Sequence, residues 1–198
     1  MTTFFTSDTH FGHARILELC NRPFSDVTHM NEMLVHNWNA LVRPDDTVYH
    51  LGDVALGPID HSLSYIERLN GRKILVVGNH DRMFPPMAKH NPEKIERWTE
   101  RYKAAGFDDV SNYTFFKKGE YGFNLSHFPY SGDSHGEERY VEYREFDMGI
   151  PLIHGHTHEN KRFSLSRRGT PQIHVGVDAW DFAPVSLQAV IDELEKER

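Results

Sequence analysis

The chain has 198 residues, a formal net charge of −7 and a hydrophobic content of 38%. This size and composition predict one globular domain over residues 1–198, with a core that needs no disulfides. The single cysteine excludes an intrachain disulfide and a thiolate metal cluster. The acidic balance argues against an extended surface for duplex nucleic acid. No apolar run is long enough to predict a membrane helix, and no secretory signal is evident, so a cytoplasmic protein without a membrane partner is expected.

The first half of the chain alternates apolar runs with amphipathic segments, which predicts strands that alternate with helices. Helices are expected at residues 14–20 and 28–42. A third helix is expected after the cap residue Asp60, and a fourth starts at Asn91, which is followed by proline. The strands of this half are expected at residues 2–7, 47–51 and 73–77.

The second half is richer in strands and ends with a helix that Ser186 caps. Between its strands lies a long polar segment, residues 129–147, which predicts a functional loop. Because strands alternate with helices early and cluster late, we expect an α/β fold with two packed mixed β-sheets flanked by helices. The strands of this half are expected at residues 110–117, 121–126, 151–154 and 172–177.

Five apolar runs each stop at a cluster of Asp, Asn or His residues. Because the carboxyl ends of strands meet at one edge of an α/β sheet, these clusters predict one shared site. Three of the clusters begin with glycine, which lets the backbone turn sharply beside an ion. Eight candidate ligands exceed what one ion needs, so either two ions bind or some candidates are not ligands. The candidates are Asp8, His10, Asp53, Asn79, His80, His127, His156 and His158.

Carboxylate, imidazole and amide ligands without thiolate suit manganese, iron or zinc. Two ions about 3.5–4 Å apart can clamp the attacking and leaving oxygens of a phosphoryl displacement. A carboxylate such as Asp53 could bridge them. The residue types therefore point to phosphate-ester chemistry with two divalent ions.

The ordered motifs resemble those of the calcineurin-like metallophosphoesterases, and they span residues 8–158. The resemblance is closest to the small, cap-less phosphoesterases of bacteria and phages, through residues 20–24 and 127–130. It implies a four-layer sandwich of helix, sheet, sheet and helix, and a cytoplasmic location in a bacterium or a phage host. The motifs are Asp8-x-His10, Gly52-Asp53, Gly78-Asn79-His80-Asp81, His127 and Gly155-His156-x-His158.

The resemblance also implies a role for each matched residue. Two divalent ions are expected, manganese first, with iron, zinc or nickel as alternatives. A hydroxide that bridges the ions would attack phosphorus in line, and His80 would stabilise the transition state or protonate the leaving group. Asp81 would orient His80. The first ion would take Asp8, His10 and His158, the second would take Asn79, His127 and His156, and Asp53 would bridge both.

Some residues keep two interpretations. His135, in the polar loop, competes with His127 as a ligand, and Asp81 could instead cap a turn. His154 is either a buried hydrogen-bonded histidine or a partner of a ligand. Four further residues are candidate substrate contacts, although packing, solvation or a helix start explains each of them as well. They are His13, Arg22, Tyr130 and Arg139.

These observations predict a phosphodiesterase whose partner is a small phosphate ester, small or cyclic nucleotides among them. The alternatives are a phosphomonoesterase, protein phosphatases included, and a nuclease. A noncatalytic metal-binding scaffold is a further alternative from another class. The sequence favours no particular oligomeric state.

Overall fold

Two mixed β-sheets flanked by helices make up the protein, whose computed structural model describes residues 1–134 and 137–196. The strands are β1 (Thr3–Thr6), β2 (Thr47–His50), β3 (Arg72–Val76), β4 (Asp109–Ser111), β5 (Thr114–Lys118), β6 (Tyr121–Leu125), β7 (Leu152–His154), β8 (Phe163–Leu165), β9 (Pro171–His174) and β10 (Val185–Ser186). The α-helices are α1 (Ile16–Leu19), α2 (Val27–Leu41), α3 (Ile59–Leu63), α4 (Pro92–Ala104) and α5 (Leu187–Lys196). Short 3-10 helices cover Ile66–Arg68, Val141–Tyr143 and Val177–Ala179.

The first sheet has the strand order β10-β1-β2-β3-β4, and the second has the order β5-β6-β7-β9-β8. In the first sheet β1 to β4 are parallel and β10 is antiparallel. In the second sheet β6, β7 and β9 are parallel, whereas β5 and β8 pair antiparallel at the two edges. Both sheets are therefore mixed, as predicted, and a bridge between Ser7 and Gly176 joins them.

The core has two apolar layers because successive side chains of a strand point to opposite faces. Phe5 of β1 packs in a cluster with Phe123 of β6 and Ile153 of β7, which fills the space between the sheets. Phe4 belongs to the other cluster, together with Trp38 of α2. Each fully buried side chain of this size contributes roughly 1.5–3 kcal/mol to stability.

The predicted helix starts at Asn91 and Ser186 are confirmed. The Asn91 side chain accepts a hydrogen bond from the backbone N–H of Lys94, and Ser186 Oγ accepts one from the backbone N–H of Ala189. Each cap satisfies an N–H group that the helix itself leaves unpaired. Among the helices of the described residues, none has both the length and the apolar character that crossing a bilayer requires.

The helix predicted after Asp60 is wrong in its start and its continuity. The helix α3 begins after Pro58, Asp60 lies inside it, and a separate 3-10 helix follows at Ile66–Arg68. Three buried apolar residues of this segment, Leu63, Ile66 and Leu69, recur every third position, which matches the 3.0 residues per turn of a 3-10 helix. Ser62 and Tyr65 beside them are also buried.

The single strand predicted at residues 110–117 is two strands in two sheets. β4 pairs with β3 in the first sheet, whereas β5 pairs with β6 in the second. The sequence hides this change because Val110 of β4 and Phe116 of β5 both pack against the core. The short strands β8 and β10 also lay outside the prediction.

Candidate metal centre

Five of the seven predicted ligands lie in turns where the backbone φ is positive. Such values are uncommon for residues other than glycine, and strained backbone clusters at functional sites. The turns follow the carboxyl ends of strands in both sheets, and they direct successive side chains towards one point. The φ values are 60° at Asp8, 50° at His10, 57° at Asp53, 73° at His156 and 53° at His158.

The first ligand group consists of Asp8, His10 and His158. The Nε2 atoms of the two histidines are 3.3 Å apart, and His158 Nε2 is 3.7 Å from Asp8 Oδ1. One ligand atom of each of the three residues lies within 4.8 Å of the others. Asp8 Oδ1 is buried, and the described part of the chain gives it no hydrogen-bond partner. A buried carboxylate oxygen without a partner is costly unless a cation meets it.

The second ligand group consists of Asn79, His127 and His156. Asn79 Oδ1 is 3.0 Å from His127 Nε2 and 2.9 Å from His156 Nδ1. His127 Nδ1 donates to the Leu51 carbonyl oxygen at 2.6 Å, which leaves the lone pair of Nε2 directed at the centre. The three side chains therefore converge, and each presents an atom that can bind a metal ion.

Asp53 lies between the two ligand groups. Its Oδ2 atom is 3.6 Å from His10 Nε2 on one side and 3.6 Å from His127 Nε2 on the other. Its Oδ1 atom accepts a hydrogen bond from the backbone N–H of His80 at 2.7 Å. One carboxylate oxygen thus faces both groups, which is the position that a bridging ligand requires.

Burial dominates the electrostatics of the site. It raises the pKa of the Asp8 and Asp53 carboxyls and lowers the pKa of the His10 and His127 imidazoles. Neutral imidazoles and carboxylates that lack solvation are the forms that a cation favours, because metal ligands must be deprotonated. Together with the unpartnered Asp8 Oδ1, the all-oxygen-and-nitrogen set fits a pair of divalent ions.

Asp178, which the sequence reasoning missed, supports the first ligand group. Its Oδ2 atom is 2.9 Å from His158 Nδ1, so Nδ1 donates and Nε2 faces the centre. Burial opposes protonation of His158, but the carboxylates of Asp8 and Asp178 outweigh it and raise the pKa of His158 to about 11. A weaker form of the pattern used for the other ligands is present, because β9 is followed by Val175, Gly176 and Val177 and then by Asp178.

Arg22 supports Asp178, and its predicted contact with substrate is wrong. Its guanidinium donates to both carboxylate oxygens of Asp178 at 2.8 and 2.9 Å, and to the carbonyl oxygens of Asp8 and Thr9. The side chain is fully buried. Its hydrogen-bonding capacity is directed at the protein, and it offers no group to a ligand.

Asp81 is placed differently from the role that the resemblance implied. Its carboxylate accepts hydrogen bonds from three backbone N–H groups, those of Gly78, Asp53 and Val54, at 2.8–3.0 Å. It joins the turn that carries Asp53 to the turn that carries Asn79. No hydrogen bond of the described residues links it to the His80 imidazole, so Asp81 fixes the backbone of two ligands and does not orient His80.

The glycines ahead of the ligands permit the close approach that the sequence predicted. A methyl group added at Gly155 would collide with Ser7 Oγ and lie 2.6 Å from Asp8 Oδ2. One added at Gly78 would collide with Asp53 Oδ1. Two strand ends thus meet without space for a side chain.

One face of the centre opens to a cleft of about 690 Å³. The side chain of His80 is 43% exposed and faces the ligands from this side, with Nε2 4.0 Å from Asp53 Oδ2. His13 and Arg139 also line the cleft. An exposed imidazole beside buried ligands is positioned to meet a substrate.

Other predicted residues lie outside the cleft. The Tyr130 hydroxyl donates to the Ile150 carbonyl oxygen and accepts from Asn124, so its predicted contact with substrate is wrong. His154 is buried, and its Nδ1 donates to the Gly155 carbonyl oxygen at 2.8 Å, which favours the hydrogen-bonded interpretation. His135, the competitor of His127, lies outside the described residues.

A second carboxylate that the sequence reasoning missed is Asp133, in the long polar loop. Its Oδ2 atom is 3.2 Å from Nε2 of His156. Burial lowers the pKa of His156 to about 2, and the neighbouring His127 adds to this effect. No local pattern distinguished Asp133 from the other polar residues of its loop.

Comparisons with known proteins identify the family of the chain. A family model described as calcineurin-like phosphoesterase matches residues 1–160. The Gene 66 protein of Mycobacterium phage L5 is 38% identical over 195 residues, which cover 90% of this chain and 87% of the phage protein. The Gene 66 protein of Mycobacterium phage D29 is 34% identical over 199 residues, with 97% and 96% covered.

A solved structure of a protein of unknown function from Aquifex aeolicus has the same fold, with a TM-score of 0.68 and 28% sequence identity. The alignment covers 98% of each chain. The strand-end ligands, the two mixed sheets and the family match agree with one another. The chain belongs to the calcineurin-like phosphoesterase family.

Proposed function

We propose that this protein is a phosphodiesterase that uses two divalent ions, manganese first, to hydrolyse small phosphodiesters such as small or cyclic nucleotides. The observation that carries the proposal is the convergence of two groups of three oxygen and nitrogen side chains on either side of Asp53, with His80 on the open side. The cleft of about 690 Å³ falls in the size range of pockets for small ligands.

When bound, two divalent ions activate water as a nucleophile and neutralise the charge that develops on the phosphoryl oxygens. The protein's own residues have three further tasks. Asp53 holds the two ligand groups in one geometry, and His127 keeps its Nε2 lone pair on the centre through its bond to the Leu51 carbonyl oxygen. Asp81 fixes the turns on which Asp53 and Asn79 stand.

His80 is the proposed catalytic residue that meets the leaving group. Its imidazole is half-exposed on the cleft side. Its backbone N–H donates to Asp53 Oδ1, which fixes the backbone that carries the ring. Burial lowers its pKa, although the Asp8 carboxylate opposes this. The ring can donate a hydrogen bond or a proton to the leaving oxygen, and a diester with a poor leaving group needs that help.

Arg139 and His13 are the proposed substrate contacts. The Arg139 side chain is 38% exposed, lines the cleft, and carries a charge complementary to a phosphate. The His13 ring lies 5.3 Å from the ring of His10, between centroids, at the edge of the cleft. A phosphoryl group at the centre would therefore have a cationic group and an imidazole within the same cleft.

The test compares a model diester, bis(p-nitrophenyl) phosphate, with the monoester p-nitrophenyl phosphate, in the presence of Mn²⁺. We expect kcat/KM for the diester to exceed that for the monoester by at least about tenfold. On a cyclic nucleotide, whose leaving group is poor, His80→Ala should lose nearly all hydrolysis while it still binds metal, which separates catalysis from ligand binding. A preference for the monoester would favour a phosphomonoesterase and contradict the proposal.

Two further outcomes decide between the remaining alternatives. Rapid degradation of single-stranded DNA or RNA, with little activity on the model diester, would favour a nuclease. A folded, metal-loaded protein that is inactive on all of these esters would favour a noncatalytic scaffold.

A further inference from the structure

The long loop after β6 contacts a predicted metal ligand through Asp133. The Asp133 side chain is 1% exposed, and its Oδ2 atom is 3.2 Å from Nε2 of His156. Arg139 Nη2 is farther from this nitrogen, at 3.5 Å, and its hydrogen bond goes to Asp133. A carboxylate accepts and does not donate, so the shorter contact with Asp133 places the proton of the neutral imidazole on Nε2. The other nitrogen, Nδ1, is then a lone pair, and it is the atom that lies 2.9 Å from Asn79 Oδ1 in the second ligand group.

Asp133 is itself held from two sides. Arg144 Nη2 donates to Oδ2 at 3.2 Å, and Arg139 Nη2 donates to Oδ1 at 2.9 Å. The buried Arg144 side chain also donates to the carbonyl oxygens of Gly132 and Arg139, which closes the loop around the carboxylate. The position of Asp133 relative to His156 is therefore fixed by charged hydrogen bonds within the loop.

The same arrangement occurs independently in the first ligand group. Asp178 accepts from the outer nitrogen of His158, and Arg22 holds Asp178. In each group, the outer ring nitrogen of a histidine from residues 155–158 donates to a carboxylate, and an arginine donates to the same carboxylate. A contact that served only to close the loop would need Arg139 and Arg144 but not His156.

We propose that Asp133 is a positioning residue of the metal centre, which fixes the tautomer and direction of His156 for the second ion and holds Arg139 at the cleft. The assignment rests on the proposed function only for the identity of the centre, since the hydrogen bonds are properties of the chain itself. It makes the long loop part of the metal site. Arg139, which lines the cleft, and His156 then share one support.

The test is a calorimetric titration of the full-length, metal-free chain with Mn²⁺. We expect two Mn²⁺ ions to bind the wild type, and Asp133→Ala to weaken one of them about 10- to 100-fold while the other changes by less than about threefold. Asp133→Asn should bind the weakened ion with an affinity between those of the wild type and of Asp133→Ala, because its amide oxygen still accepts from His156 Nε2. Hydrolysis lost by Asp133→Ala at limiting Mn²⁺ should return at high Mn²⁺.

Glu138→Gln is the matched control. Glu138 is another acidic residue of the loop, it accepts from the backbone N–H of Gly132, and it pairs with Arg144 and Arg167. It does not contact His156, so this variant should bind both ions as the wild type does. If Glu138→Gln weakens Mn²⁺ as much as Asp133→Ala does, the effect is one of loop closure and the proposal is wrong.

Three other results overturn the assignment. They are unchanged binding of both ions by Asp133→Ala, equal weakening of both ions, and binding of fewer than two Mn²⁺ ions by the wild type. If the wild type binds two ions but hydrolyses neither model ester, the proposed function fails, and the role of Asp133 is decided by the titration alone.

Discussion

The two ligand groups of the centre are supported by different parts of the molecule. In the first group, His158 rests on Asp178 and Arg22, whose side chains are buried next to the turn that carries Asp8. In the second group, His156 rests on Asp133, from a loop whose regular structure, among its described residues, is one 3-10 helix at Val141–Tyr143.

The difference teaches where the centre is fixed and where it meets the substrate. The support of the first group is built into the core, because the Arg22 and Asp178 side chains are buried and Arg22 also donates to the Asp8 carbonyl oxygen. The support of the second group comes from a surface loop that also carries Arg139, which lines the cleft. Four predictions, ordered by expected effect, test this contrast.

Asp53→Asn should have the largest effect, because Asp53 belongs to neither group alone. The charge that faces both His10 and His127 is lost, and we expect kcat/KM for a diester to fall by on the order of 1,000-fold. Steady-state kinetics at saturating Mn²⁺ and elemental analysis of bound metal check this. Asp45→Asn, at an exposed position before β2, is the control. Activity of Asp53→Asn within tenfold of wild type would exclude a bridging role.

Arg22→Met and Arg144→Met should separate the two supports. The first change removes the buried guanidinium that donates to the Asp178 carboxylate and to the carbonyl oxygens of Asp8 and Thr9, and we expect a loss of about 3–5 kcal/mol in the free energy of unfolding. The second change should open the loop locally and cost about 1 kcal/mol in global stability. Urea denaturation measures both. Equal losses would mean that the loop is as much part of the core as Arg22 is.

Gly155→Ala should distort the first ligand group through a steric clash beside Asp8. The new methyl group would collide with Ser7 Oγ, which donates to the Leu51 carbonyl oxygen and has little freedom to move. We expect a loss of about 3 kcal/mol in unfolding free energy and weaker binding of one Mn²⁺ ion. Gly119→Ala is the control, because nothing lies within 4 Å of its added methyl group and only its positive φ, with a cost of about 1 kcal/mol, opposes the change. Similar losses in both variants would argue against tight packing at Gly155.

The same contrast separates what the sequence predicted from what it did not. The strands β1, β2, β3 and β7 and the convergence of seven ligands could be predicted, because an apolar run followed by Asp, Asn or His is a local pattern. Its physical basis, that carboxyl ends of strands meet at one edge, needs no knowledge of packing. The caps of α4 and α5 were predictable for the same reason.

The contacts of the supports were not predictable, because each joins residues that are distant in the sequence. Asp178 is 20 residues from His158 and Asp133 is 23 residues from His156. Arg22 is 156 residues from Asp178, and without that partner it was read as a substrate contact. Tyr130 was read in the same way, because the sequence does not show that Asn124 and the Ile150 carbonyl oxygen occupy its hydroxyl.

His50 should give the smallest effect, a pH-dependent loss of stability beneath the first group. Thr9 Oγ1 donates to the Val54 carbonyl oxygen, so it accepts from Nε2 of His50, and His50 Nδ1 has no partner among the described residues. Burial lowers the pKa of His50 from its ordinary 6.5 to about 3, and the nearby His127 adds to this. Between these values the unfolded chain binds a proton that the folded chain does not. The contribution of neutral His50 is therefore complete above pH 6.5 and is lost progressively as the pH falls towards 3.

The measurement is urea denaturation of His50→Gln and wild type at pH 7.5 and pH 5. From the two pKa values, the wild type should lose about 2 kcal/mol more than the variant over this interval. The same substitution at His36, an exposed histidine of α2, controls for the loss of an imidazole. If His50→Gln loses as much stability as the wild type, a proton reaches His50 in the folded state. Protons would then reach the buried residues beside Asp8 and His10 as readily as they reach the surface loop that supports the second group. The contrast between the two supports would not hold.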